Sequence, residues 1–502
     1  MAQLTKDHGA ESAPIRFSDA TLDDLPDAIL RPNYERKSLT PGIVHIGVGN
    51  FHRAHQQWYI HRLMQEGRAF DWAIVGAGVR PYDEAQRARL AKQDYLTTLI
   101  ELDPSGTSAE VIGPMVDYLP VEDGHGPLIR QMSDPAIRIV SLTVTEGGYF
   151  LDPSTKRFDQ HHEDIVHDAG NLNFPRTAFG AIVAALKARR DAGAGPFTCQ
   201  SCDNLPGNGA ILREVVTGLA NLADPDLGKW ISEAVSFPNS MVDCIVPATG
   251  PSELALAQSL GVDDQAPVTH ENFRQWVIED SFCAGRPPWE DVGATMSARV
   301  HDFEAMKLRV LNGGHQIVAA AAEILGLVTI SDAMEHAEIK QLLRKVALTE
   351  ICPHNPELPG ITPDQYVDLV DRRFSNPAIH DTVRRVAFDG SARQTGALLP
   401  VIRDAIASDG LLDGLALSQA LWARMCTGTR EDGSKIEPND PVWEQLTEAA
   451  NDAVENPQAW LEQRHFYGAI ADDERFCRAF AGWVRKLHSQ GTQSTLEAYL
   501  QP

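Results

Sequence analysis

Four polar side chains crowd into one otherwise apolar stretch: Glu304, Lys307, Asn312 and His315 in EAMKLRVLNGGH. The stretch reads as helix, and at ~100° per residue the four fall within an arc of about 140°, so they share a face. A carboxylate, an amine, an amide and an imidazole among apolar neighbours are unfavourable unless they face a cleft or one another. Oxidising an alcohol to a ketone needs such a set: a base for the hydroxyl proton, donors for the developing alkoxide and an acceptor for the hydride. A desolvated lysine can be that base, because burial lowers its pKa towards neutrality. Lys307 is the candidate. Asn312 can donate to the substrate oxygen, His315 can orient a neighbouring hydroxyl, and Glu304 can pass the proton from Lys307 towards bulk water. The spacing equally fits a structural face whose polar groups satisfy one another.

A hydride acceptor is expected near the start of the chain. The strand-like run at 43–46 leads into Gly47-Val48-Gly49-Asn50-Phe51-His52 and then a helix, the order a dinucleotide loop requires. Gly47 would make the tight turn and Gly49 would admit a pyrophosphate to the backbone. The third fingerprint position is His52 rather than glycine, so the loop could also be a packing turn. After a second strand, Asp83 and Glu84 follow GAGVRPYDE. A carboxylate there accepts from the ribose 2′-OH of NAD and repels the 2′-phosphate of NADP. Asp83 therefore favours NAD. Arg80 could instead pair a 2′-phosphate, which keeps NADP open, and both acids could be plain solvated loop charges.

The elements that must position these groups follow from periodicity. Short apolar runs IVHIGVG (43–49), WAIVGAG (72–78), IRIVSLTVT (137–145) and FTCQSC (197–202) alternate with helical patterns. That alternation is the mark of a parallel sheet covered on both faces. An α/β fold is expected: an N-terminal Rossmann-type doubly wound parallel sheet, then a mainly α-helical C-terminal domain with long amphipathic helices near 303–326, 336–349, 378–388 and 413–425. The expected domains are an N-terminal arm over residues 1–40 laid on the surface, a Rossmann dinucleotide-binding domain over 41–235 with elaborations to about 295, and a helical substrate-binding and catalytic domain over 236–502.

Composition narrows the partners. With 502 residues, 43% hydrophobic and 23% charged, the chain can bury a large core. A formal net charge of −25 repels phosphate backbones and anionic lipid, so neither nucleic acid nor membrane is expected. The start lacks a secretory block and no apolar stretch reaches the ~20 residues of a membrane span, which points to the cytoplasm. The seven cysteines are too scattered for a disulfide framework. Cys199 and Cys202 form a CxxC, but no second pair or histidine cluster completes a zinc site.

The ordered blocks GIVHIGVGNFHRAHQ (42–56), VSLTVTEGGY (140–149), SCDNLPGNG (201–209), SFPNSMVD (236–243), QWVIED (275–280) and MKLRVLNGGH (306–315) resemble the long-chain mannitol dehydrogenase family. The resemblance implies a zinc-free hydride transfer between NAD(P) and a polyol, with Lys307 of K-x4-N-x2-H as general base. It implies that Asn204 of the CDN block pairs with Asn312 on the reacting oxygen, with His315 beside them. Asp243 and Arg385 would contact substrate hydroxyls, and Arg393 would lie at the distal end of the substrate. Asn50, Phe51, Thr145 and Glu146 would join Gly47, Gly49 and Asp83 in the cofactor site. Read from local pattern alone, Asn204 could cap the next helix and Asp243 could be a turn residue.

Two departures touch the distal substrate end: Cys244 stands where the family usually has an arginine after the aspartate, and Arg393 stands where a lysine is common. The expected reaction is D-mannitol to D-fructose, with a polyol or ketose as the small-molecule partner, no metal, and a monomer preferred. Rival readings are a fructuronate reductase acting on mannonate, with Arg385 and Arg393 holding its carboxylate, a D-arabinitol dehydrogenase, and an NAD-binding sensor without turnover.

Overall fold

Residues 14–152 and 155–501 are described in the computed structural model of the chain. The first apolar run forms β1 (Pro41–Ile46), followed by β2 (Ala73–Ala77), β3 (Met115–Tyr118), β4 (Ile139–Leu142) and β5 (Thr198–Ser201). These five pair side by side, all parallel, in the order β3-β2-β1-β4-β5. Their runs are continuously apolar because helices cover both faces, and Val44, Ile46, Val140 and Leu142 are wholly buried. The strand order reverses between β1 and β4, the switch point where a doubly wound sheet opens a crevice at its carboxyl edge.

Two smaller sheets elaborate this unit. Thr97–Asp103 and Gly106–Ile112 form an antiparallel pair extended by Val268–Glu271. Ser240–Asp243 pairs antiparallel with Gln275–Ile278, which also carries Thr295–Met296. The segment before β1 is woven in rather than laid on top: Ile15–Arg16 pairs with Val262–Asp263, and Phe17, Leu25 and Ile29 pack with Leu96, Val111 and Val262. Its apolar residues flank a short 3-10 helix, Asp19–Asp24, and belong to no regular helix or long strand, so they give no sustained period to read in the sequence.

The chain divides into two compact units between His301 and Asp302. The sheet containing Ser240–Asp243 lies in the first unit, within the stretch to about 295 where the sequence pattern leaves elaborations of the Rossmann domain open. The second unit is helical. Its central helix, Gly313–Leu325, is buried nearly all round, as an interior helix must be if it is apolar on every face. The expected helices near 336–349 and 413–425 appear as Ala337–Val346 and Asp413–Cys426. Among the described residues, no helix is long and apolar enough to cross a membrane.

Candidate active site

A cleft opens beyond the carboxyl ends of β1, β2 and β4, lined by Gly47, Val79, Arg80, Asp83 and the run Thr143–Thr145. Gly47 has φ +94°, and a Cβ there would lie 2.1 Å from the Thr143 carbonyl oxygen, so both backbone and space demand glycine. A Cβ on Gly49 would meet nothing within 4 Å, leaving open space over the start of helix Asn50–Ala54.

His52 occupies the third fingerprint position for a packing reason. Its ring stacks on His45, centroids 3.3 Å apart and planes 8° from parallel. The His45 ring nitrogens reach Ser141 Oγ at 2.8 Å and Thr143 Oγ1 at 2.9 Å. Burial pushes the His45 pKa down to about 3 and holds His52 well below its ordinary value. A neutral stacked pair therefore supports the loop from beneath.

The other cofactor candidates divide by what their side chains already do. Asp83 lines the cleft while its Oδ2 accepts from the backbone N–H of Val79 and Arg80, both at 2.9 Å. Arg80 is exposed in the same cleft. Asn50 Nδ2 donates to Pro247 O and Thr249 Oγ1, and its Oδ1 accepts from Arg53, which commits the amide to loop anchoring. Half-buried Phe51 stacks on His55 at 4.9 Å. Thr145 has a positive φ of 67°. Glu146 opens the short turn Glu146–Tyr149, and its side chain lies outside the described ones.

In the second unit the catalytic candidates lie on a helix that is not uniformly α. Helix Val300–Met306 passes into a π-helical segment, Lys307–Asn312, before α geometry resumes at Gly313. An α-helix returns to the same face after 3.6 residues, and the wider π turn, closed by i→i+5 hydrogen bonds, takes between about four and five. Lys307 and Asn312, five apart and at opposite edges of the uniform-α arc, are thereby drawn towards one another. Short π segments cluster at functional sites for this kind of reason. Glu304, Lys307 and His315 are 7%, 8% and 9% exposed, and Asn312 is half-buried.

His315 is flat against Phe374, centroids 3.9 Å apart and planes 12° from parallel. Its Nε2 is buried without a hydrogen-bond partner among the described residues. Burial lowers its pKa to about 3, against an opposing pull from Asp381, so the ring is a neutral donor or acceptor. Arg385 chelates Asp381 through Nε and a terminal nitrogen at 2.7 and 2.6 Å. Arg393 is exposed on helix Gly390–Ala407, whose preceding residue Asp389 takes left-handed φ/ψ and whose Ser391 is tied to Asp440. Arg373, Arg385 and Arg393 all contribute to the field at His315.

The first unit holds the two remaining candidates. Asn204 is exposed on the turn between β5 and helix Asn208–Ala223. The helix N-cap is Gly207, without a side-chain cap. The turn is held instead by Asn208, which donates to Asp203 O and Ser240 O and accepts from Ser240 N. Asp243 is buried at the end of its strand, opposite Gln275. Cys199 and Cys202 are buried thiols that desolvation holds well above their ordinary pKa, and among the described residues no three His, Cys, Asp or Glu side chains gather to hold a metal ion.

Residues 41–291 match the mannitol dehydrogenase Rossmann domain and residues 299–488 the mannitol dehydrogenase C-terminal domain. The chain belongs to the mannitol dehydrogenase family. It is 51% identical over 473 residues to mannitol 2-dehydrogenase of Cereibacter sphaeroides, covering 94% of this chain and 99% of that one. The Aspergillus terreus mannitol 2-dehydrogenase is 37% identical over 500 residues, covering 97% and 100%. Among solved structures, the Pseudomonas fluorescens mannitol 2-dehydrogenase in ternary complex with NAD and D-mannitol is 38% identical, with a TM-score of 0.85 over 97% of this chain and 100% of that one. A D-sorbitol dehydrogenase in substrate-free form is 34% identical, with a TM-score of 0.89 over 96% and 100%.

Within this mannitol dehydrogenase family chain, sequence reasoning missed two side chains that the geometry singles out. Phe374 carries the His315 stack but reads in the sequence as the last apolar residue of an amphipathic helix. Asp203 is buried beside Asn204 and accepts from the backbone N–H of Val144 and Thr145. Its only signal was the acidic residue inside the CDN block.

Proposed function

We propose that this chain is a mannitol 2-dehydrogenase, an NAD-dependent and metal-independent enzyme that interconverts D-mannitol and D-fructose. The observation that carries the reading is the run Lys307–His315, where a π segment holding a buried amine and an amide leads into a neutral imidazole whose Nε2 has no hydrogen-bond partner among the described residues. The end-to-end match to mannitol 2-dehydrogenases supports it. The cleft residues suit a dinucleotide, since the space over Gly49 is open and Asp83 stands at the carboxyl end of β2. NAD, when bound, supplies the hydride acceptor.

In this reading Lys307 takes the hydroxyl proton, and Glu304, one turn earlier, passes it towards bulk water. Asn204 and Asn312 donate to the oxygen as it gains negative charge, a contribution that is largest where water is excluded. His315 Nε2 meets an adjacent hydroxyl. Asp243, Arg385 and Arg393 hold the far hydroxyls, and Asp83 selects NAD over NADP. Asn50, Phe51, Thr145 and Glu146 contribute to the cofactor site, Asn50 through its backbone.

The likeness to a D-sorbitol dehydrogenase favours one second reading, delivery of hydride to the other face of D-fructose to give D-sorbitol. Purified protein would be given NADH or NADPH with D-fructose, D-fructuronate or D-xylulose, with and without a chelator, and the hexitol formed from D-fructose identified. Mannitol formed with NADH and indifferent to chelator upholds the reading. Sorbitol as product selects the second reading, and preference for fructuronate overturns both.

A further inference from the structure

We propose that Asp203 is a positioning residue: it locks the cleft wall Val144–Thr145 to the turn that presents Asn204, and so sets the nicotinamide side of the cofactor site against the residue that holds the reacting oxygen. The proposal rests on the function proposed above.

The doubly wound order gives each half of the sheet one half of the dinucleotide, and β4 and β5 belong to the second, nicotinamide half. Thr143, Val144 and Thr145, just beyond β4, line the cleft. Asp203 follows β5 and immediately precedes Asn204. Its Oδ1 accepts from Thr145 N at 2.8 Å, and its Oδ2 accepts from Val144 N at 3.1 Å and from the Tyr149 hydroxyl at 2.6 Å. One carboxylate thus meets three donors from the opposite wall.

The local backbone requires such an anchor. Thr145, with φ 67° and ψ 161°, sits in a region that residues with a side chain rarely adopt and that persists only where the surroundings over-determine it. The hydrogen bonds around Asp203 also run in one direction. Asp203 N donates to Ser201 Oγ at 3.3 Å, and Ser201 Oγ lies 2.6 Å from the Tyr149 hydroxyl. A carboxylate can only accept, so Tyr149 donates to Asp203 and receives from Ser201, closing a cycle with every proton assigned. Tyr149 is wholly buried, and its burial together with the neighbouring Asp203 charge keeps the phenol protonated.

An amide at 203 breaks this arrangement, because its NH2 must face N–H or O–H donors. In Asp203→Asn, single-turnover oxidation of NADH by D-fructose is expected to slow about tenfold or more, as for a small misplacement of reacting groups. The NADH Kd, read by fluorescence, is expected to rise by a smaller but measurable factor. With NADH deuterated at the transferred position, the isotope effect on turnover is expected to grow as hydride transfer becomes limiting. Tyr149→Phe removes one donor and leaves the Thr145 bond, so it is expected to fold and to show the same changes at reduced size. Wild-type Kd and wild-type isotope effect in both variants, with only a lowered Tm, overturn the proposal. Should the wild-type protein turn over no ketose, the functional reading fails separately, and an unchanged NADH Kd in Tyr149→Phe still overturns the role of Asp203.

Discussion

The imidazole of His315 and the ring of Phe374 lie face to face, 3.9 Å between centroids, with His315 Nε2 left without a hydrogen-bond partner among the described residues. The stack fixes the ring plane, and in the proposed function it turns Nε2 towards a substrate hydroxyl. Phe374→Leu keeps apolar cover but removes the stack, a loss of about 0.5–1.5 kcal/mol for such pairs. The expected result is a severalfold rise in KM for D-fructose with an unchanged NADH Kd. A NADH Kd that shifts as much as KM would contradict this placement of His315.

His315 and His45 both carry a pKa of about 3 in the fold against an ordinary 6.5. Between these values the unfolded chain binds more protons than the folded one, so stability is complete above pH 6.5 and falls as pH drops towards 3. Thermal melts from pH 7 to pH 4 should show this loss, and His315→Asn should flatten it. Superimposable pH curves for variant and wild type would refute neutral burial. Nor should His315 contribute a titration to kcat/KM between pH 5 and pH 9.

Asp83 combines two tasks, facing the cleft and accepting two strand-end N–H groups. Asp83→Ala should raise kcat/KM with NADPH relative to NADH by about tenfold, since the acid that repels a 2′-phosphate is gone while Arg80 remains. It should also lower Tm slightly, because the two hydrogen bonds, one half-buried and one exposed, are worth at most about 1 kcal/mol each. An unaltered cofactor ratio would place the ribose elsewhere.

Gly47 and Gly49 separate fold from binding. A methyl on Gly47 meets the Thr143 carbonyl and a forbidden φ, so Gly47→Ala should destabilise by ~1–3 kcal/mol. A methyl on Gly49 meets nothing, so Gly49→Ala should melt like wild type and yet weaken NADH binding, read by fluorescence titration. Equal NADH affinity in Gly49→Ala would mean that no phosphate approaches there.

Much of the fold is legible in the sequence. The strands Pro41–Ile46, Ala73–Ala77, Ile139–Leu142 and Thr198–Ser201 are visible because continuous apolar runs are what a doubly covered parallel sheet requires. The polar face of Glu304, Lys307, Asn312 and His315 was visible from spacing. The π segment was not, since hydrogen-bond period is decided by packing around the helix rather than by residue type. Asp203 and Phe374 were missed for a related reason: each acts across the fold, on Val144–Thr145 and on His315, at sequence separations that no local pattern records. The segment 236–301 leaves the domain boundary open in the sequence, because its strands have four residues or fewer and too few alternations to announce a sheet.

Lys307→Ala tests the central claim most directly. Mixed in single turnover with saturating NADH and D-fructose, the variant is expected to bind NADH as wild type does while its hydride transfer falls by at least about 10²–10⁴-fold, the contribution of a positioned acid–base group. A variant that binds NADH normally and still reduces D-fructose within tenfold of the wild-type rate would show that Lys307 is not the base.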